Sequence, residues 1–349
     1  MTRAVSIDQL QCSRANFQLG PVSLEVPAGA RVAIVGPSGS GKTTLLRCLA
    51  GLQRVDSGTI KIGDLVVDDA TKRSEPAERN LGLVFQDGAL WPHMNALAHL
   101  RFAAPGMSNH DALQLLERGG ILDQAKKKPA EMSGGEAQRL GLLRALAPAP
   151  AVLLLDEPLR SVDVHQRDGL AVLVRGMCDE RNITSILVTH DRDEALALAD
   201  YLVVMRDGQL VEQGPSLELL QQPQTAFTAA FLRGAACLST TAISSGEVGT
   251  IFGNFDHPVA DSLDVRLVVF PGEVIADDNC DGPAAKILAV TPSEGDGIRL
   301  RVACEDQIVI ARATSQVTGN TTRLRLKVPP RFLPWHNRPP INPEQPKQP

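Results

Sequence analysis

One stretch constrains this chain more than any other: "VAIVGPSGSGKTTLL", residues 32–46. An apolar run of strand length enters a glycine-rich turn, and a helical pattern leaves it. Gly36, Gly39 and Gly41 allow φ > 0 and let backbone N–H groups approach an anion closely. A helix opening at Lys42 adds the partial positive charge of its N-terminus. Gly36, Gly41, Lys42 and Thr43 satisfy the spacing G-x-x-x-x-G-K-[ST]. The loop Gly36, Pro37, Ser38, Gly39, Ser40, Gly41, Lys42, Thr43 and Thr44 therefore reads as a cradle for a polyphosphate. Lys42 can span its β- and γ-phosphates, and the Thr43 hydroxyl can ligate Mg²⁺.

The surrounding pattern is α/β up to about residue 234. Arg31–Val35, Val152–Leu155 and Ser185–Val188 are short apolar runs bounded by Gly, Pro or charge, as buried parallel strands require. Helical periodicity fills the gaps at Thr43–Leu52, Asp111–Arg118, Gly135–Leu146, Val164–Cys178 and Arg192–Asp200. "AVLLLDEP" (151–158) ends a buried strand on two acids. Placed beside the phosphate loop, Asp156 would hold Mg²⁺ and Glu157 would polarise a water, a base worth about 10²- to 10⁴-fold in rate.

From about residue 246 the texture changes. "TRLRLKV" (322–328) and "GIRLRVAC" (297–304) alternate charged and apolar residues, which predicts five or six half-buried strands in a small barrel or sandwich. The last 21 residues carry eight prolines, enough to exclude helix or sheet, so residues 331–349 read as a disordered or extended tail. The net charge is −5, and residues 235–349 hold 11 basic and 13 acidic side chains, which argues against a nucleic-acid groove. No apolar run approaches the roughly 20 residues of a membrane helix. "MTRAVSIDQLQ" lacks a signal core, so a cytosolic chain is expected. The six cysteines form no C-x-x-C pair and read as scattered reduced thiols.

Taken together, the motifs resemble those of the ATP-binding cassette (ABC) ATPases that drive ABC transporters. "GPSGSGKTT" resembles Walker A and "LLLDEP" Walker B. "LVFQDGALWPHM" resembles the Q-loop, centred on Gln86. "MSGGEAQR" resembles the LSGGQ signature, "LRSVD" the D-loop ending in Asp163, and "LVTHD" the switch loop with His190. The resemblance covers residues 1 to about 234. It implies a P-loop NTPase fold with a RecA-like core, a helical subdomain at about 88–145, and a C-terminal OB-like β domain over 235–330. It implies ATP and Mg²⁺ as cofactors, with Thr43, Gln86 and Asp156 at the metal and Glu157, His190 and Gln86 as the catalytic set.

The resemblance also answers why a second helix-start motif, Ser133-Gly134-Gly135, lies so far from the loop. In the family two cassettes pair head to tail, so Ser133, Gly134, Gly135 and Asp163 would meet ATP held by the partner's Lys42. The implied partners are a second copy, membrane-spanning permease subunits and, indirectly, an extracytoplasmic solute-binding protein. The implied place is the cytoplasmic face of the inner membrane. The β domain resembles that of ferric-iron, polyamine, sulfate or molybdate, thiamine and sugar importers, and "T-x-F-G" (250–253) favours a small inorganic ion such as ferric iron. A nucleotide-sensing module with weak ATPase activity is the competing class.

Three positions depart from the family pattern. Ser13 stands where an aromatic usually stacks on adenine; Phe17 either substitutes or belongs to the core. Glu136 replaces a glutamine and puts negative charge beside the expected triphosphate. In the D-loop, Arg160 and Ser161 replace the commoner Ser-Ala. Trp91 reads equally as core or as part of the grip on a permease helix.

Overall fold

The computed structural model describes residues 2–14, 17–69, 71–86, 88–160, 162–244, 247–256, 265–276, 280–293, 297–313 and 321–335. Ser161 and the expected tail beyond Trp335 lie outside them. The chain divides into two compact units, Met1–Leu217 and Glu218–Pro349.

The first unit is built on a six-stranded sheet in the order Gln209–Pro215, Tyr201–Arg206, Arg31–Val35, Thr184–Thr189, Val152–Asp156, Leu81–Val84. Its inner strands run parallel and Gln209–Pro215 is an antiparallel edge. Every residue of Val152–Asp156 and Thr184–Thr189 is buried, which explains why these runs are continuous and not alternating. A four-stranded antiparallel sheet (Phe17–Val26, Val5–Arg14, Ser57–Ile62, Leu65–Asp69) accompanies it. Leu45, Leu46 and Leu49 of helix Lys42–Leu49 share one core with Ile7, Leu24 and Ile60 of the second sheet and with Ile34 and Ile186 of the first.

The helix after the phosphate loop ends at Leu49, three residues short of the expected Leu52. Gly51 adopts φ 75°, which breaks the helix where Gly is the preferred terminator. Arg79 then fills the helix end: its guanidinium donates to the carbonyls of Cys48 and Leu49 at 2.9 and 3.0 Å and pairs with Asp68 at 2.6 Å. Both side chains are sealed from solvent. Helix Arg192–Leu198 likewise stops before the expected Asp200, because Ala199 turns to extended geometry.

Between the sheet strands lie helices Ala96–Ala103, Asn109–Arg118 and Gly134–Leu146, packed on one another. Asn95, Ser108 and Ser133 cap them by accepting backbone N–H bonds. Arg144 of the third helix is buried and donates to the carbonyls of Gly88 and Ala89. Trp91 is half-buried between Arg144, His99 and Phe102. His99 is fully buried, accepts from Trp91 N–H at 2.9 Å and faces Asn95 O at 2.8 Å. This fixes how the segment after Gln86 enters the helical subdomain.

The second unit contains a closed barrel in the order Val274–Ala276, Gln307–Ala313, Gly297–Cys304, Ala284–Ser293, Thr321–Leu326. Thr322 and Leu324 point into it while Arg323 and Arg325 face out, as the alternation required. Two further three-stranded sheets, built from strands of four or five residues, accompany the barrel. The expected five or six strands therefore undercount the unit.

Two expected boundaries also move. Helix Ala226–Arg233 belongs to the second unit, where Ala226 and Ala229 pack on Val268 and Phe270, although the sequence reading ended the first domain at 234. The tail expected from 331 begins instead with a strand, Arg331–Pro334, paired with Val265–Val269. Arg331, Phe332 and Leu333 keep their backbone donors, and Pro334 falls at the strand end, where a missing N–H is tolerated.

Candidate functional site

The parallel register brings the ends of three strands together. Val35 lies opposite Thr189, and Asp156 opposite Val188. The phosphate loop, the Asp156–Glu157 pair and His190 therefore emerge at one edge of the sheet, where ligands bind in open α/β sheets.

The loop is shaped by its glycines. Gly39 and Gly41 take φ 83° and 99°, and a Cβ on Gly41 would meet the Phe17 ring at 2.8 Å. Pro37, Ser38 and Gly39 are exposed, Gly36 and Ser40 are buried, and Thr43 and Thr44 are half-buried. Lys42 is 7% exposed, and its ammonium donates to the carbonyls of Gly36 at 2.8 Å and Pro37 at 2.9 Å. Burial pushes its pKa below the usual lysine value, while the charges of Glu157 and Asp156 act in the opposite direction. The helix starts at Lys42 with its first intrahelical bond from Leu45 N–H to Gly41 O at 2.9 Å, so the N–H groups before it need partners from outside the helix.

Thr43 Oγ1 lies 3.3 Å from Asp156 Oδ1. Burial raises the Asp156 pKa, opposed by that hydroxyl. A hydroxyl and a buried carboxylate side by side, at the base of a glycine-rich loop, fit a hard divalent cation. Gln86 is half-buried two residues past Val84, whose strand pairs in parallel with Val152–Asp156. It thus leaves the sheet at the same edge.

Glu157 adopts φ 46°, a left-handed conformation uncommon for a side-chain-bearing residue and typical of functional positions. Its N–H is anchored on Val188 O at 2.9 Å. Its carboxylate meets His190 Nδ1 at 2.6 Å and Arg160 at 2.9 Å. Burial alone would raise its pKa; the bonds from His190 and Arg160 outweigh that and hold it below the ordinary glutamate value.

Ser133, Gly134 and Gly135 lie elsewhere. The Ser133 hydroxyl accepts from Glu136 N–H at 3.3 Å while Ser133 N–H donates to Glu136 Oε2 at 2.7 Å, a capping box. Glu136 is held below the usual range first by the Ser133 backbone bond. None of the hydrogen bonds described for Ser133 reaches the Lys42 loop. Asp163 is exposed at the start of helix Val164–Arg181, and its carbonyl accepts from Gln166 and Arg167. Ser13 donates its N–H to Asp56 at 2.6 Å, and Phe17 packs on the core beneath Gly41.

Three residues at or behind this site carried no readable signal in the sequence: Arg79, Gln138 and Glu194. Each is a polar side chain whose partner is fixed only by folding. Glu194 in particular looks like an ordinary acid in a first helical turn, yet it is 6% exposed.

Fold and site together define the class: a P-loop NTPase core with an inserted helical subdomain and a small β-barrel unit. The family model described as ABC transporter matches residues 19–160. The chain is 41% identical over 294 residues to "Fe(3+) ions import ATP-binding protein FbpC 1" of Rhizobium meliloti, covering 80% of this chain and 82% of that one. It is 45% identical over 224 residues to the FbpC protein of Pseudomonas fluorescens; that alignment spans 62% of either chain. Among solved structures it resembles a bacterial Atm1-family ABC exporter with ATP bound, with a TM-score of 0.58, 28% identity, and coverage of 66% of this chain and 41% of that chain. It also resembles a dimeric ATP-binding cassette in a post-hydrolysis state with ADP and phosphate, with a TM-score of 0.54, 28% identity, and coverage of 61% and 98%. The chain belongs to the ABC transporter family.

Proposed function

We propose that this chain is the ATP-hydrolysing motor subunit of an ABC import complex. The observation that carries the proposal is the Glu157–His190 pair at 2.6 Å, beside a lysine and a Thr–Asp couple suited to triphosphate. Lys42 exchanges its two loop carbonyls for phosphate oxygens when ATP enters. Glu157 accepts a proton from a water that attacks the γ-phosphorus, and the bond to the β-phosphate oxygen breaks to leave ADP and phosphate. His190 orients that carboxylate and the γ-phosphate. Thr43, Asp156 and Gln86 would hold Mg²⁺, which would supply charge neutralisation.

Two copies close head to tail, with Ser133, Gly134, Gly135 and Asp163 of one facing ATP on the other. The likeness to a dimeric cassette supports this arrangement. Ferric iron is the favoured cargo because relatives sharing both units carry that name. Among the described residues no helix is long and apolar enough to cross a membrane. The import names of its relatives support placing the chain at the inner face of the cytoplasmic membrane, held by permease subunits that a solute-binding protein supplies.

The test is an ATPase assay of wild type and Glu157→Gln, with and without the permease. Turnover should fall about 10²- to 10⁴-fold in the variant while ATP still binds. Equal inactivity of both proteins with the permease present would overturn the motor reading. Uptake of labelled ferric iron by cells carrying each variant tests the cargo.

A further inference from the structure

The turn after Glu157 and the turn around His190 are fastened to one another at two points. At the first, Glu194 accepts a hydrogen bond from Leu159 N–H at 2.7 Å through one oxygen and from the Thr189 hydroxyl through the other. Thr189 Oγ1 in turn accepts from Asp191 N–H at 3.0 Å. At the second, Arg167 donates to Val162 O at 3.1 Å and pairs with Asp191 at 3.1 Å. His190 therefore sits between two residues that are each tied to the Leu159–Val162 turn. Glu157 sits two residues before its tied end.

A buried carboxylate is costly to retain unless each oxygen is bonded. Glu194 is 6% exposed and Thr189 fully buried, and both oxygens of Glu194 have a partner. One partner comes from each of the two turns that present the reacting side chains. A side chain serving only as a helix start would need neither. The first-turn N–H groups of its helix are already met by Asp191, which accepts from Asp193 and Glu194 at 2.9 and 3.1 Å.

We propose that Glu194 is a positioning residue: its buried carboxylate clamps the Leu159 turn to Thr189 and thereby sets the separation of Glu157 from His190. This rests on the ATP-hydrolysing function proposed above. Buried, with both oxygens bonded to protein groups, Glu194 acts through the two turns it joins. Misplacement of a reacting group by about 1 Å costs up to about 10²-fold in rate, and the clamp attaches at Leu159, which follows Pro158 after Glu157, and at Thr189, next to His190.

The experiment uses the full chain with Mg-ATP. Thr189→Val removes one arm of the clamp at nearly constant volume, and Glu194→Gln alters the centre. Each should lower kcat about tenfold and leave KM for ATP within about twofold. The double variant should be no slower than the slower single, because both changes break one interaction. Thr189→Ser, which restores the hydroxyl, should recover kcat. A purely structural role would lower the melting temperature without splitting kcat from KM. Wild-type kcat in both single variants, or losses that simply multiply in the double, would overturn the clamp while leaving the ATPase reading intact. A wild-type chain that binds ATP and never hydrolyses it would overturn that reading, and the clamp with it.

Discussion

Gln138, on the helix that Ser133 caps, donates its side-chain amide to the carbonyl oxygen of Pro158 at 2.7 Å. Pro158 directly follows Glu157, so this one bond joins the helical subdomain to the chain segment that carries the proposed base. Replacing Gln138 by Met keeps the volume and strands a buried carbonyl, which costs about 1–3 kcal/mol. Denaturant unfolding should register that loss, and permease-stimulated turnover should fall more than basal turnover. Wild-type stability in the variant would mean that Pro158 finds another donor.

Arg79 and Asp68 form a sealed ion pair at the end of the phosphate-loop helix. Removing one partner leaves the other charge uncompensated, a loss of about 3–5 kcal/mol. Arg79→Met should therefore unfold at markedly lower denaturant concentration. Replacing both residues with apolar side chains of similar size should recover much of the loss. A mild Arg79→Met variant would show that water reaches Asp68.

Glu136 keeps Ser133 in a capping box and adds negative charge where triphosphate is expected. Glutamine preserves the box and removes the charge. Glu136→Gln should lower the ATP concentration needed for dimer formation by about two- to fivefold, read by light scattering in a Glu157→Gln background. An unchanged midpoint would place Glu136 outside the field of the nucleotide.

The Glu157 carboxyl is depressed below the ordinary value of 4.5 by His190 and Arg160, against the upward push of burial. A depressed acid binds its proton more weakly when folded than when unfolded. Its stabilisation is therefore in place above 4.5 and is lost as pH falls through the folded value. His190→Ala should move that carboxyl upward, because burial then meets less opposition. Arg160 is about half exposed, so its bond counts for less. Melting temperatures followed down through the acid range should fall less steeply in His190→Ala than in wild type; parallel curves would remove the pair from the acid response.

Much of the cassette was legible because its signals are local. Gly39 and Gly41 take the positive φ their spacing implied, and the apolar runs at 31–35 and 152–155 became buried strands. Charged residues of the "TRLRLKV" stretch face out from a closed barrel. Less was legible where a side chain has to find a distant partner. Arg79 carried no signal of its role, and only folding delivers it to the carbonyls of Cys48 and Leu49. Strand Arg331–Pro334 was hidden by its proline-rich neighbours, since pairing with Val265–Val269 is a long-range event.

By itself the sequence determined the loop that can hold phosphate and the buried strands and helices that flank it in the cassette. Backbone sterics, helix-end chemistry and hydrophobic period act over a few residues, so they are written in neighbouring letters. The tertiary structure alone decided that Glu157 meets His190, 33 residues away, and that Glu194 joins the turns that carry them. Those meetings depend on strand order and register, which the packing of the whole sheet selects and no local propensity encodes.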